Sequence, residues 1–288
     1  LWISGTIYTA RDAAHARIKQ KRTAGMKIAT WNINGVRARI DSLLAWLKEA
    51  NPDIVCLQEI KTVDEGFPRL EIEALGYHVE THGQKGFNGV ALLSRIKPDE
   101  VIRGLPGDDE DVQSRFIEGV FSVRGGAIRV CSIYLPNGNP AGTEKYTYKL
   151  AWMERLQAYA EARLALEEPL ILAGDYNVIP EPHDCWDVKV WENDALFLPQ
   201  TRNAFRRLEN LGFTDAVRAT NDTVPLYTFW DYQAGCWPKN FGIRIDHLML
   251  SAEALDKLVS TSIDKHVRAW EKPSDHVPVI GEFAFEAA

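Results

Sequence analysis

The chain has 288 residues, of which 45% are hydrophobic and 25% charged, and its formal net charge is −7 at pH 7. These ordinary values exclude a disordered, collagen-like or disulfide-framework protein, and no apolar run approaches the roughly 18 residues of a membrane-spanning helix. The acidic balance excludes a polybasic coat for nucleic acid. It does not exclude an enzyme that acts on DNA, because a metal site gathers carboxylates whose charge the bound cation offsets.

Residues 1–25 differ in composition from the rest of the chain and lack the apolar core of a secretory signal. They contain a single acid and these basic side chains: Arg11, Arg17, Lys19, Lys21 and Arg22. A basic amphipathic targeting helix is one interpretation. We favour an upstream extension, disordered or loosely attached, because the pattern of a folded domain begins at Met26. We therefore expect 1–25 to lie outside the fold and 26–288 to form a single domain.

From Met26 onward, apolar runs typical of strands alternate with segments of helical periodicity. The runs predict strands at 27–31, 53–57, 77–80, 89–93, 116–123, 127–134, 169–173, 228–230, 243–250, 262–266 and 277–282. The periodicity predicts helices at 42–50, 144–166 and 201–211. Both halves of the chain mix strands and helices without a linker or repeat. The expected fold is therefore of the α/β (α+β) class, with two mixed sheets packed face to face and helices covering the outer faces.

The cysteines lie far apart, and no two of them form a C-x-x-C pair: Cys56, Cys131, Cys185 and Cys236. In a chain of this size, such spacing favours reduced, mostly structural thiols over a zinc site or a disulfide framework. The cytoplasm is therefore the expected compartment.

Polar clusters follow several of the predicted strands, and one precedes the last strand. They lie at 32–35, 58–59, 134–138, 174–177, 246–247 and 274–276. Because sheets gather their strand ends at one rim, we expect these clusters to converge and to form a ligand site.

The clusters are rich in hard oxygen ligands and contain no cysteine. The candidate ligands are Glu59, Asp175, Asp246, Asp275, Asn32, Asn177 and His276. Such a set suits Mg²⁺ or Mn²⁺, with water and substrate phosphate completing the coordination. Zinc is less favoured, because a single histidine lacks the usual histidine or cysteine company.

Each cluster also has a purely structural interpretation. A carboxylate after a strand can cap a turn, Asn-Gly can be a plain turn, and an aspartate–histidine pair can be a structural hydrogen bond. Tyr134 alone could be a half-buried tyrosine at a strand end. The occurrence of all these clusters at successive strand ends favours a functional site.

Several motifs occur in order along the chain: TWNINGVRAR, CLQEIK, HGQKGFNGVALLSR, YLPNG, LAGDYNVIP, NFGIRIDHLMLS and EKPSDHVPV. From Met26 to about Phe285 the sequence therefore resembles the exonuclease III family of DNA-repair nucleases and abasic-site endonucleases, within the endonuclease/exonuclease/phosphatase superfamily. GD-x-N and SDH alone would fit the whole superfamily. LQE-x-K, GQKG-x-x-GVA and N-x-G-x-R-I-D narrow the resemblance to the repair nucleases.

The resemblance implies a four-layer α/β sandwich and Mg²⁺-dependent phosphodiester hydrolysis, with Mn²⁺ as a substitute. The products would be a 3′-hydroxyl and a 5′-phosphate. The implied activities are incision at abasic sites, 3′→5′ exonuclease action on duplex DNA, and removal of 3′-phosphate or 3′-phosphoglycolate. The implied partner is double-stranded DNA with abasic sites or blocked 3′ ends, bound by a monomer and away from membranes.

The resemblance also implies roles for the candidate ligands. Glu59 stands where the family has its principal Mg²⁺ ligand, Asn32 completes or supports that shell, and Asp275 is the second carboxylate. A second metal at Asp175, Asn177 and His276 is left open.

The implied catalytic residues are Asp175, Asn177, His276, Asp246 and Tyr134. Asp175 takes a proton from the attacking water, and Asn177 orients that water or binds a phosphoryl oxygen. His276 donates to a non-bridging oxygen, while Asp246 fixes its tautomer and favours its charged form. Tyr134 hydrogen-bonds the phosphate, or acts as an acid if its pKa is lowered.

Basic, amide and apolar side chains near the clusters are candidates for gripping DNA and for lining a pocket for a flipped abasic sugar. They are Arg37, Lys61, Lys85, Arg115, Asn137, Phe229, Trp230, Ile243 and Arg244. The alternatives are solvated surface for the basic residues and core packing for the apolar ones.

Two departures from one well-known bacterial member affect these loops. Asn137 replaces the Gln of its Tyr-x-Pro-Gln-Gly, and its Trp-Phe-Asp-Tyr appears here as Phe229-Trp230-Asp231-Tyr232. The balance between exonuclease and abasic-site activity therefore stays open.

Two other functions remain as alternatives. One is another superfamily phosphoesterase, acting on RNA, a phosphoinositide or sphingomyelin, for which GQKG and N-x-G-x-R-I-D are not expected. The other is a catalytically inactive DNA-binding protein, which predicts erosion at Glu59, Asp175 or His276, and all three are present.

Overall fold

The computed structural model describes residues 25–288. Its strands, in chain order, are β1 (Met26–Asn32), β2 (Ile54–Gln58), β3 (His78–His82), β4 (Val90–Ser94), β5 (Glu100–Arg103), β6 (Phe116–Val123), β7 (Gly126–Tyr134), β8 (Leu170–Asp175), β9 (Thr214–Asp215), β10 (Asp246–Leu250), β11 (Leu258–Ile263) and β12 (Val279–Phe283). They form two six-stranded sheets, ordered β11-β12-β1-β2-β4-β3 and β5-β6-β7-β8-β10-β9. Both sheets are mixed, because β1 pairs in parallel with β2, and β7 with β8, among antiparallel neighbours.

The helices cover the outer faces of the sheets and fill the connections between strands. They are α1 (Ile40–Ala50), α2 (Arg69–Glu73), α3 (Glu144–Leu164), α4 (Val188–Trp191), α5 (Pro199–Leu211), α6 (Ala216–Thr220), α7 (Cys236–Lys239) and α8 (Ala252–Leu255). No helix within 25–288 has both the length and the apolar character needed to cross a membrane.

Successive side chains in the central strands point alternately to two cores, since strand residues alternate between the faces of a sheet. Ile28 and Cys56 point into the core between the two sheets, where they join side chains of the second sheet such as Leu248. Trp31 and Leu57 point outward and pack with α1. This two-sided burial explains why the strands read as nearly continuous apolar runs.

The pairing register brings the ends of the central strands to one rim. Asn32 at the end of β1 lies beside Gln58 at the end of β2. Asp175, at the end of β8, lies between Tyr134 of β7 and Asp246 of β10. The polar residues that follow these strands therefore meet at the same edge of the sandwich.

The predicted fold class is confirmed, with two packed mixed sheets flanked by helices. Most predicted strands and all three predicted helices are present, with ends displaced by one or two residues. The prediction for residues 1–25 falls almost entirely on 1–24, which lie outside the described residues.

Three strand predictions are wrong in part. Residues 228–230 form isolated bridges through Phe229 instead of a strand. The strand predicted at 243–250 begins only at Asp246, and the one predicted at 262–266 lies at Leu258–Ile263. That last strand is at the edge of its sheet and only half-buried, so its apolar pattern is weak. The short strands β5 and β9 were missed.

Candidate active site

The rim opens into a pocket of about 310 Å³, lined by residues that follow or precede the central strands. The lining side chains are Glu59, Tyr134, Asn137, Asn139, Asp175, Asn177, Trp191, Asp194, Leu196, Phe229, Asp231, Ile243, Ile245, Asp275 and His276. The structure thus brings the polar clusters of the sequence together in one concave site.

Two carboxylates from different sheets meet at one amide in this site. The Nδ2 of Asn32 donates to Glu59 Oε1 and to Asp175 Oδ2, both over 2.9 Å. Its Oδ1 accepts the backbone N–H of Asn34 over 3.0 Å. Asn32 therefore faces the carboxylates with its nitrogen, which holds them close together, while its oxygen is engaged elsewhere.

The donor set fits a divalent cation. One donor atom from each of Glu59, Asp175 and His276 lies within 4.8 Å of the others. Two nearby carboxylate oxygens in a largely buried position are the hard ligands that Mg²⁺ or Mn²⁺ takes, with the remaining positions left to water and substrate. Asp275 lies at the edge of this group, where its Oδ1 accepts from Asn34 Nδ2 over 3.0 Å.

His276 is held by Asp246 on one side and faces Asp175 on the other. Its Nδ1 lies 3.0 and 2.9 Å from the two carboxylate oxygens of Asp246, and its Nε2 lies 3.7 Å from Asp175 Oδ2. Burial alone would lower the pKa of His276, but Asp246 and Asp175 outweigh it and raise the pKa to about 10. A charged imidazolium has no lone pair for a metal, so the geometry favours His276 as a hydrogen-bond donor.

The other titratable groups of the site diverge in pKa. Burial raises the pKa of Asp175 to about 7, although His276 opposes the shift. Burial works in the same direction on Glu59, yet its hydrogen bonds with Asn32 and Lys61 lower the pKa below its ordinary value. Burial, helped by the charges of Glu59 and Asp175, raises the pKa of Tyr134 well above its ordinary value. The phenol therefore stays protonated, and the pKa lowering that an acid role requires is not found.

Asn177 lies beside Asp175 and is fixed by several hydrogen bonds. Its backbone N–H donates to Asp175 Oδ1 over 2.9 Å, and its Nδ2 donates to the carbonyl of Leu135 over 2.9 Å. Its Oδ1 accepts from the exposed Asn137 over 3.1 Å. The two amides predicted for water orientation and DNA contact are thus linked to each other.

The backbone at the rim adopts left-handed conformations that side chains other than glycine rarely take. The φ angles are 47° at Asn34, 50° at Glu59, 54° at Lys61 and 47° at Asn177. Such conformations persist only where surrounding contacts hold them, and they concentrate at functional sites. The turn residues can be recognised in the sequence, but the left-handed backbone at Glu59 itself cannot.

Asn34 connects the edge of the site to its centre, although within the cluster 32–35 a ligand role was predicted only for Asn32. Its Nδ2 donates to Asp275, and its Oδ1 accepts from Lys61, whose ammonium also lies 2.8 Å from Glu59 Oε2. Its Nδ2 also lies 3.3 Å from the hydroxyl of Tyr232. In the sequence, the position of Asn34 in the motif Asn-x-Asn-Gly was the one feature that pointed to this role.

The candidate DNA-binding residues divide by exposure. Arg37, Lys85 and Asn137 are exposed, whereas Lys61, Arg115 and Phe229 are half-buried near the pocket. The guanidinium of Arg115 stacks over the ring of Tyr134 at 4.8 Å.

Two of the DNA-contact predictions are wrong. Arg244 is 1% exposed and pairs with Asp184 and Asp215, so it cannot reach a phosphate. Trp230 is fully buried and its indole N–H donates to Asn240 over 3.1 Å, so it packs inside the fold. Ile243 is also buried, but it does line the pocket.

Comparison with known proteins gives a consistent picture. Residues 29–276 match the model of the Endonuclease/Exonuclease/phosphatase family. The chain is 38% identical over 266 residues to exodeoxyribonuclease III of Haemophilus influenzae, an alignment that covers 90% of this chain and 100% of that protein.

Two solved structures share the fold closely. One is a Neisseria 3′ phosphatase bound to a product DNA hairpin, with a TM-score of 0.86 and 34% identity over 90% of this chain and 99% of that one. The other is an AP endonuclease from Archaeoglobus fulgidus, with a TM-score of 0.84, 36% identity and the same coverage of each chain.

Proposed function

The chain belongs to the endonuclease/exonuclease/phosphatase family, in which it is an exodeoxyribonuclease III-like DNA-repair nuclease, and we propose that it hydrolyses DNA phosphodiesters at abasic sites and blocked 3′ ends with Mg²⁺. The observation that carries this proposal is the convergence of Glu59, Asp175 and His276, with Asp246 behind the histidine, in one pocket. The reaction is in-line attack of water on phosphorus, which leaves a 3′-hydroxyl and a 5′-phosphate.

Asp175 is the proposed general base. Its pKa of about 7 lies close to working pH, where a base combines the correct protonation state with sufficient basicity. The hydrogen bonds from Asn32 Nδ2 and from the N–H of Asn177 fix the carboxylate orientation toward the attacking water.

His276 and Tyr134 are the proposed donors to the phosphate. The imidazolium donates through Nε2 to a non-bridging oxygen as negative charge accumulates, because Nδ1 is engaged with Asp246. Tyr134 stays protonated and donates a hydrogen bond. Neither group needs to move its proton to stabilise the transition state, and the departed 3′-oxygen takes its proton from solvent.

The metal would be held by Glu59, with Asp275 supplying a further oxygen and Asn32 supporting Glu59. When bound, Mg²⁺ or Mn²⁺ polarises a phosphate oxygen and stabilises the leaving 3′-oxygen. A second metal at Asp175, Asn177 and His276 would have to displace the proton that Asp246 and Asp175 favour on His276.

The substrate proposal rests on the pocket wall. Phe229, Ile243 and Leu196 form an apolar side of a cavity of about 310 Å³, which suits a sugar without its base. The exposed Arg37 and Lys85 and the half-buried Lys61 and Arg115 supply positive charge for the flanking phosphates. We infer a monomer acting on double-stranded DNA in the cytoplasm, where the four free thiols would stay reduced.

The test uses a labelled duplex that carries one abasic site, incubated with protein in Mg²⁺ and then in EDTA. We expect a single incision with Mg²⁺ and none with EDTA, and full activity in EDTA would contradict the proposal. Duplexes with a 3′-phosphate or a normal 3′ end, together with an RNA duplex and an inositol phosphate, measure which substrates compete.

A pair of matched variants tests whether Glu59 is the metal ligand. Glu59→Gln should weaken activity and raise the Mg²⁺ concentration needed, because a charged ligand is lost. Asp222→Asn is the control, since it removes an exposed carboxylate that does not line the pocket. An unchanged Mg²⁺ titration in Glu59→Gln would refute the ligand assignment.

The catalytic unit is proposed to be residues 26–288. Deletion of residues 1–25 should therefore leave the melting temperature and the incision rate nearly unchanged. A large loss of either would show that this segment belongs to the fold or to the DNA contact.

A further inference from the structure

A buried lysine lies directly behind the active site. Lys149 of α3 is 0% exposed, and its amine donates to the backbone carbonyls of Asn177 over 2.5 Å and Asn137 over 3.1 Å. Lysine is almost never fully buried without partners, and here both partners are the backbone of residues that line the pocket.

The backbone of Asn177 is in the left-handed region with φ 47°, a conformation that surrounding contacts hold in place. Its N–H donates to Asp175 Oδ1, so the orientation of the Asn177 peptide also sets that of the Asp175 carboxylate. The carbonyl of Asn177 accepts a hydrogen bond from Lys149. The Lys149 amine thus holds Asn177, at the end of the short segment that carries the proposed base Asp175.

The stem of Lys149 also supports the neighbouring loop. Gly138 has φ 84°, and a Cβ built on it would lie 2.6 Å from Lys149 Cδ. The loop that carries Asn137 therefore lies directly on the lysine stem. Because Asn137 Nδ2 donates to Asn177 Oδ1, both loops are held in one arrangement.

We propose that Lys149 is a positioning residue for phosphodiester hydrolysis, which holds Asn177 and through it the Asp175 carboxylate in the reactive orientation. This inference rests on the proposed function of the site. Lys149 does not itself line the pocket, so its main expected effect is on the rate of the chemical step rather than on DNA affinity.

The positioning does not depend on the charge of the amine. Burial lowers the pKa of Lys149 to about 7, while Asp175 and Asp194 favour the charged form. A neutral amine still has two N–H donors, one for each carbonyl.

The first test compares Lys149→Met with Tyr146→Phe. Methionine keeps the apolar stem against Gly138 and removes the donors. Tyr146→Phe is the matched control, because it removes a buried hydrogen bond of the same helix, to Thr201 Oγ1 over 3.0 Å, without contacting Asn177.

We expect Lys149→Met to lower kcat about 10- to 100-fold with KM nearly unchanged, since small misplacements of reacting groups have effects of this size. Tyr146→Phe should keep wild-type kcat even if its melting temperature falls as far. Equal kcat in the two variants, with the wild type active on abasic DNA, would overturn the inference. An inactive wild type would instead refute the proposed function.

The second test asks whether Lys149 acts on the Asp175 carboxylate. In an Asp175→Asn background, Lys149→Met should lower kcat by no more than about two-fold, because residues acting as a unit are not additive. Undiminished loss in that background would overturn the inference. If Lys149→Met does not fold, Lys149→Gln replaces it: its shorter amide reaches the carbonyls less well, and a wild-type kcat in that folded variant would equally refute the positioning role.

Discussion

Two buried polar networks lie on opposite sides of the start of β10, and they differ in charge balance. Asp246 points toward the rim and contacts His276, within a group that also contains Glu59 and Asp175. His247, the next residue, points the other way and lies 3.1 Å from a guanidinium nitrogen of Arg244. Since successive strand side chains alternate between faces, one strand serves both networks.

The network around Arg244 is fully compensated. Arg244 binds Asp184 through Nε at 2.8 Å and Asp215 through a second nitrogen at 2.5 Å, and Arg218 also binds Asp184 at 2.6 Å. Two cations face two carboxylates. Burial alone would raise the pKa values of Asp184 and Asp215, but the arginines outweigh it and lower both.

The network at the rim is not compensated. Its carboxylates outnumber the cations His276 and Lys61, and the pKa of Asp175 shifts upward to about 7. Buried charge alone therefore does not mark a functional site. A buried carboxylate whose pKa rises, in a pocket open to solvent, marks a place for an external cation or a proton transfer.

The largest expected effect is on Asp175. Asp175→Asn should lower the single-turnover incision rate by about 10²–10⁴-fold, the usual contribution of a general base. Its metal-free stability at pH 8 should not fall, because the raised pKa means that folding disfavours the charged carboxylate above about pH 7. Thermal melts and quench-flow kinetics measure both, and a large drop in melting temperature would place Asp175 with the structural carboxylates.

The opposite signature is expected from Arg244. Arg244→Met leaves the buried Asp215 carboxylate without its cation, and removing one partner of a buried ion pair lowers the free energy of unfolding by roughly 3–5 kcal/mol. Urea unfolding measures the loss, while the incision rate per folded molecule should stay within a few fold of wild type. If Arg244→Met had wild-type stability but bound DNA more weakly, Arg244 would be a DNA contact after all.

The third effect tests whether Asp246 and His276 act as a unit. Each single change to asparagine should slow incision by about 10²–10³-fold, as for a lost donor to the transition state, and the double change should cost little more. A double-mutant cycle on single-turnover incision measures the coupling. Strictly additive losses would mean that Asp246 only caps its turn and His276 works alone.

The comparison also shows how far the sequence could be interpreted. The strand ends and the polar residues beside them could be recognised in the sequence. The meeting of these residues at one rim could therefore be predicted from Asn32, Glu59, Asp175 and His276. Arg244 was assigned to DNA because it adjoins Ile245 and Asp246 in a motif. Its burial depends on Asp184, which is 60 residues away in the sequence, and no local pattern reveals that pairing.

Burial of Trp230 and the link made by Asn34 were hidden for a similar reason. Trp230 lies in a segment whose alternation indicates a strand, yet the segment forms only isolated bridges to Ile243 and His276. The role of Asn34 depends on its left-handed backbone, which turns its amide toward Asp275. Both depend on tertiary contacts between segments that are distant in the chain.

The smallest expected effect is on the pH dependence of stability, and it separates the contributions of His276 and Asp175. Because the pKa of His276 is raised from 6.5 to about 10 in the folded protein, the stability it contributes is complete below pH 6.5 and is lost as pH rises toward 10. Asp175 also has a raised pKa, so its contribution is lost earlier, between about pH 3.8 and 7.

Metal-free wild-type protein should therefore lose stability between pH 7 and 9.5, and Asp246→Asn should lose less, because the neutral amide no longer favours the imidazolium. Urea unfolding at the two pH values measures this difference, and histidine NMR shows directly whether the His276 ring is still charged at pH 8. In Asp246→Asn the ring should titrate nearer its ordinary pKa. If the His276 ring were neutral at pH 8 in the wild type, the mechanism could not use an imidazolium as a donor. Lys61 would then be the cation that balances the carboxylates of the rim, and the proposed difference in charge balance between the two networks would have to be revised.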